Sequence, residues 1–93
     1  SIDKKTPVLL LSGNQFNDKR EEVIVAAIIS NTLRRTFGDV KVQKWKEAGL
    51  LYPSAITGNL LSIKKTHVEK KLGALAKEDL ERFEDTLRKI LKL

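Results

Sequence analysis

Few of the 93 residues could do chemistry, and most of those are cations. There is no cysteine and a single histidine, His67, so disulfides, thiolate metal sites and histidine-rich metal centres are excluded. No serine stands at a recognisable spacing from a histidine and a carboxylate. His67 is followed by Glu69, Lys70 and Lys71, and in that company a surface position is its commoner role. Gly13 and Gly38 are isolated, so no glycine-rich phosphate loop exists. What remains are the paired cations Lys4-Lys5, Arg34-Arg35, Lys64-Lys65 and Lys70-Lys71, with one tryptophan, Trp45. Each pair alone is ordinary solvated surface, but their joint occurrence between apolar runs points toward a phosphate-bearing partner. Trp45 could stack on a base, although core packing is the usual duty of a lone tryptophan.

The charge is unevenly placed. Residues 77–93 hold five basic and five acidic side chains, whereas residues 1–76 hold thirteen basic and seven acidic, so this body carries the whole net charge of +6. A basic body suits nucleic acid or an acidic protein, although moderate positive charge also serves solubility alone. With 41% hydrophobic and 32% charged residues the chain reads as one globular domain. No apolar run approaches membrane-spanning length, and a cytoplasmic, metal-independent protein is expected.

The elements that must position these cations are mostly short strands. Pro7-Val-Leu-Leu-Leu-Ser12 has strand composition and is closed by Gly13-Asn14, with a polar loop expected over Asn14 to Arg20. Residues 21–30 are continuous and β-branched, which predicts a central strand covered on both faces. A buried helix is the competing reading, opposed by the valine and isoleucine content and by the lack of a polar stripe. Asn31 to Gly38 reads as a second basic loop, carrying Arg34 and Arg35. Asp39 to Gln43 alternates, as a half-exposed strand should, and Lys44 to Gly49 suits one helical turn ended by glycine. Ser54 to Lys65 predicts another strand, interrupted near Gly58-Asn59, and Thr66 to Leu72 a short helix. From Lys77 onward Leu80, Phe83, Leu87, Ile90 and Leu91 form one helical stripe, with Glu78, Asp79 and Glu81 early and Arg88, Lys89 and Lys92 late, matching the helix dipole. Strands first and one helix last predict a mainly β fold, a small barrel with a helix packed on it.

The order of short patterns adds a resemblance. Thr6-Pro-Val-Leu-Leu-Leu-Ser12, Val23-Ile-Val-Ala-Ala-Ile-Ile-Ser30, Asp39-Val-Lys-Val-Gln-Lys-Trp45, Ala48-Gly-Leu-Leu-Tyr-Pro-Ser54, Leu61-Ser-Ile63 and Lys71-Leu-Gly-Ala-Leu75 follow one another as in MazF/PemK toxins. The resemblance implies a single SH3-like barrel over about residues 6–65, a C-terminal amphipathic helix over about 77–92, and a homodimer. It also implies a cofactor-free, metal-independent endoribonuclease that cleaves single-stranded RNA through the ribose 2'-hydroxyl and is inhibited by a cognate antitoxin. The strand with which family members begin, of the Arg-Gly-Asp-Val kind, has no counterpart before Pro7, so an N-terminally truncated domain is expected.

By the same resemblance, Thr6 stands where the family places an arginine, and Ile29 where it places a threonine beside Ser30. The arginine and acid that some members carry in the later strand align with Thr57 and Asn59. Thr6, Ile29 and Ser30 therefore mark the expected catalytic site, and Lys5, Arg20, Arg34 and Arg35 the expected RNA phosphate contacts. Three readings stay open: a nuclease with a relocated or weakened site, a non-cleaving RNA- or antitoxin-binding module, and an interaction module sharing only the barrel.

Overall fold

Residues 5–30 and 36–93 are described by the computed structural model. The β-branched run forms the strand expected of it. Strand β1 (Val8–Leu10) pairs antiparallel with β2 (Glu22–Ile29), β2 with β4 (Ser54–Lys64), and β4 with β3 (Val40–Val42), giving the sheet order β1-β2-β4-β3. β2 is thus central, and Val25 to Ile28 are buried in succession, as a strand covered on both faces requires. β4 changes character along its length. Its first four residues, in the stretch where β3 also pairs with it, are all buried, while beyond Gly58, where only β2 flanks it, none is buried and half-buried positions mix with exposed ones.

The expected interruption near Gly58-Asn59 is present as a bulge. β2 advances from Ala26 to Ile28 while β4 runs from Leu60 to Ile56, so Thr57, Gly58 and Asn59 together oppose Ala27. A ladder broken this way strands backbone groups, and the buried Thr57 hydroxyl occupies the gap. It donates to the Ala27 carbonyl at 2.8 Å and accepts from the Asn59 amide at 3.2 Å.

The closing helix α2 (Lys77–Leu91) lays Phe83 fully buried against Ala26, Ile28, Val40, Val42 and Ile56, with Trp45, Leu75 and Leu87 packed around them. Leu91, part of the predicted stripe, is instead 47% exposed. Trp45 packs against this core. Asp79 does more than complement the dipole: it is buried and accepts the backbone amides of Gln43 at 3.1 Å and Lys44 at 3.0 Å, and also pairs with Arg82. Arg82 in turn donates to the Lys41 carbonyl at 3.1 Å, so the start of α2 is riveted to the end of β3. Burial alone would raise the Asp79 carboxyl, but the two amides and the guanidinium outweigh it and hold it below the ordinary carboxylate range.

The turn over Lys44 to Gly49 is as expected, with the Ala48 amide on the Lys44 carbonyl at 3.2 Å and Gly49 ending it at φ 87°. Two short elements differ from expectation. The segment read as a polar loop contains a short helix, α1 (Asn14–Lys19), which buries nothing and carries no apolar face. It is held by hydrogen bonds: Ser12 Oγ donates to Asn17 Oδ1 at 2.6 Å, and Lys65 Nζ to the Asn17 carbonyl at 2.6 Å. Conversely, the helix expected over Thr66 to Leu72 is only a 3-10 turn, Lys65–His67, followed by irregular chain. Among the described residues no helix is long and apolar enough to cross a membrane.

Candidate functional site

The bulge creates a cleft. With three residues of β4 crowded opposite Ala27, the end of the sheet opens into a concavity of about 620 Å³ between the bulge, the end of β2, the approach to β3 and the last turns of α2. Thr6, Ile29, Thr57 and Asn59, four positions marked from the sequence and up to 53 residues apart, all line it. The Ile28 amide bonds the Pro7 carbonyl at 3.1 Å, which sets Thr6 beside Ile29.

The remaining walls come from Thr36, Phe37, Asp39, Lys89 and Ile90. Helix α2 comes this close because both residues beneath Ile90 are glycines. A β-carbon on Gly38 would lie 3.2 Å, and one on Gly58 3.1 Å, from Ile90 Cδ1. Seating Ile90 there carries its neighbour Lys89 to the cleft wall. Asp39 closes the turn before β3 by accepting the Thr36 amide on Oδ2 at 3.0 Å. Phe37 is 78% exposed, an aromatic ring offered to solvent at the cleft rim. Among the described residues that line the cleft, Asp39 and Lys89 are the charged ones.

The other expected site residues are placed less compactly. Ser30 is exposed in the bend after β2 and does not line the cleft. Lys5 precedes Thr6 and is exposed. Arg20 stands before the opposite end of β2, its guanidinium 5.0 Å over the Phe16 ring. The eight residues of β2, roughly 25 Å of strand, separate it from the end at Ile29, so it does not share the cleft. Arg34 and Arg35 lie outside the described residues. Phe37, Asp39 and Lys89 had not been singled out from the sequence as site residues. An aromatic beside a glycine in a basic loop was the available signal for Phe37; nothing local marks Lys89 apart from the other cations of its helix. No cluster of histidine, aspartate and glutamate that could hold a metal occurs among the described residues.

A four-stranded antiparallel half-barrel, capped by one C-terminal helix and opened at a bulge beside it, is the architecture of a small toxin-like barrel. The chain belongs to the PemK-like, MazF-like toxin family of type II toxin-antitoxin systems, whose pattern it matches over residues 1–91. Its fold is similar to that of the Mycobacterium tuberculosis toxin MazF-mt6, with a TM-score of 0.80 at 24% identity over 95% of this chain and 87% of that one. It is also similar to a mycobacterial endoribonuclease solved with its cognate antitoxin (TM-score 0.78, 18% identity, 95% and 82% covered). A third likeness is to the MazE-MazF structure from Deinococcus radiodurans (TM-score 0.78, 16% identity, 96% and 87% covered). Compared by sequence with curated proteins, the chain matches none.

Proposed function

We propose that this chain is a metal-independent endoribonuclease of the toxin family, that it cleaves single-stranded RNA in the bulge cleft, and that a cognate antitoxin blocks it. The observation that carries this reading is the cleft itself, which gathers Thr6, Ile29, Thr57 and Asn59 beside one carboxylate and one ammonium. In the proposed reaction the ribose 2'-hydroxyl gives its proton to a base and its oxygen bonds to phosphorus. The bond to the 5'-oxygen then breaks, and that oxygen takes a proton. The products are a 2',3'-cyclic phosphate and a 5'-hydroxyl, and no other reactant is consumed. Such a step requires a base, an acid and a cation facing the phosphorane.

Thr6 and Ile29 are the cleft positions at which the resemblance places arginine and threonine, and neither supplies the guanidinium or hydroxyl. The activity is therefore expected to be slower than the family pattern allows. Arg34 and Arg35 remain phosphate contacts in this reading, on their position in sequence between Ser30 and Thr36, and Lys5 on its place beside Thr6. Phe37, exposed at the rim, stacks on a base. Partnership with an antitoxin follows from family membership and from the toxin–antitoxin complexes solved for two similar folds. Homodimeric assembly in the cytoplasm follows from the family resemblance.

A second reading, RNA or antitoxin binding without cleavage, is favoured by one observation: the Thr57 hydroxyl is already committed to bridging the bulge. Labelled single-stranded RNA incubated in EDTA with the full-length protein separates the readings. Cyclic-phosphate and 5'-hydroxyl ends are the expected result. Salt-sensitive binding without new ends would replace the nuclease by the binding module, and no binding would leave only the shared barrel.

A further inference from the structure

Helix α2 brings a cation to a cleft from which the expected arginine is missing. Lys89 is the one cationic side chain among the described residues that line the cleft, and it shares that lining with Thr57 and Asn59 of the bulge. Its position is built in. Ile90, the next residue, is wedged over Gly38 and Gly58, and the helix start is tied down through Asp79, so both ends of α2 are held against the sheet.

The charge is also available. Along the same helix Glu78 is paired with Lys44 at 2.9 Å, Asp79 with Arg82, and Asp85 with Arg88 at 3.0 Å. Lys89 makes no ion pair with any described residue, the lining carboxylate Asp39 included. Although the lining includes one carboxylate, this ammonium has no ion-pair partner among the described residues. A phosphate is the group that supplies such a partner.

We propose that Lys89 is the phosphate-binding residue of this cleft, holding a backbone phosphate of the single-stranded RNA through its ammonium. This rests on the RNA-directed reading above and assigns the cation to the C-terminal helix in place of the β1 approach, where Thr6 stands. Lysine serves here as a point charge, without the paired geometry of an arginine, so it recognises the phosphate and not the base.

The test uses binding, which does not require cleavage. A fluorescent, randomised single-stranded DNA, lacking the 2'-hydroxyl, is titrated with the full-length protein at several salt concentrations. Lys89→Ala should bind roughly ten-fold more weakly, and the slope of log affinity against log salt should become shallower by about 0.7, the loss of one phosphate contact. Lys89→Arg should restore the slope. Lys77→Ala, which removes the same charge at the other end of the helix, should leave both quantities unchanged. Alanine is a good helix former and Lys89 is exposed, so folding of the variant is not at issue.

Equal slopes for the parent and Lys89→Ala would overturn this assignment and leave the nuclease reading standing. The expected slope change, with no cleavage of RNA by the parent, would uphold the assignment and overturn the nuclease. A parent that does not bind single strands at all would overturn both.

Discussion

Replacing Asp79 by alanine should cost this domain a large part of its stability, and the structure supplies the amount. The carboxylate is 1% exposed and accepts two backbone amides, from Gln43 at 3.1 Å and Lys44 at 3.0 Å. Hydrogen bonds to a charged acceptor contribute about 1.5–3 kcal/mol each. Gln43 and Lys44 are exposed residues whose freed amides can recruit water, so the lower figure applies and the two sum to about 3 kcal/mol. The Arg82 pair adds little, since its side chain is 39% exposed and solvent screens it to about 0–1 kcal/mol.

Against a total of roughly 5–15 kcal/mol for a small domain, 3 kcal/mol should lower the melting temperature by about 12–24 °C. Asp79→Asn, keeping one acceptor, should fall between. The effect also has a direction in pH. The folded carboxyl titrates below its unfolded value near 3.9, so between the two the unfolded chain binds more protons. The stabilisation is fully present above that unfolded value and is lost as pH falls through the lower, folded one. Thermal unfolding followed by circular dichroism from neutral to acid pH reads both quantities. A variant melting with the parent at neutral pH, or keeping the parent's full acid limb, would refute the rivet.

Other outcomes follow from single contacts. Thr57→Val should remove the bridge across the bulge and cost about 1–3 kcal/mol, read as a lower urea midpoint with an unchanged slope. Gly49→Ala should destabilise by at least 1–2 kcal/mol on backbone handedness alone, roughly the left-handed penalty, because φ is 87° and a β-carbon would also strike the Leu72 carbonyl. Phe37→Ala should leave the melting temperature in place, as the ring is 78% exposed, yet weaken single-strand binding by about 1–3 kcal/mol in a titration. The double change Thr6→Arg with Ile29→Thr should raise the RNA cleavage rate by ~10²–10³, measured as cyclic-phosphate ends per unit time. An unchanged rate would remove those positions from the reaction.

How far the fold was legible differs from element to element. Helix α2 announced itself because a 3.6-residue period, acidic residues first and basic residues last are all local properties of one segment. Strand β2 did so through an unbroken β-branched run, and the bulge through Gly58-Asn59 inside an apolar strand. Helix α1 gave no such signal. Six residues with Phe16 as their one apolar member and no buried face have no period to read, and their partners, Ser12 and Lys65, come from outside the helix, Lys65 from 48 residues beyond Asn17. The buried role of Asp79 was equally silent, because its acceptor sites are filled from Gln43 and Lys44, 36 and 35 residues away.

The same division runs through the cleft. Local spacing and family pattern were enough to mark Thr6, Ile29, Thr57 and Asn59, since each sits in a motif that can be read in a few neighbouring residues. That they share one concavity, that Arg20 stands at the other end of β2, and that Lys89 lines the same cleft were decided only by folding. A strand register and a helix seated on two glycines set which distant residues meet, and neither is encoded within any one segment of the chain.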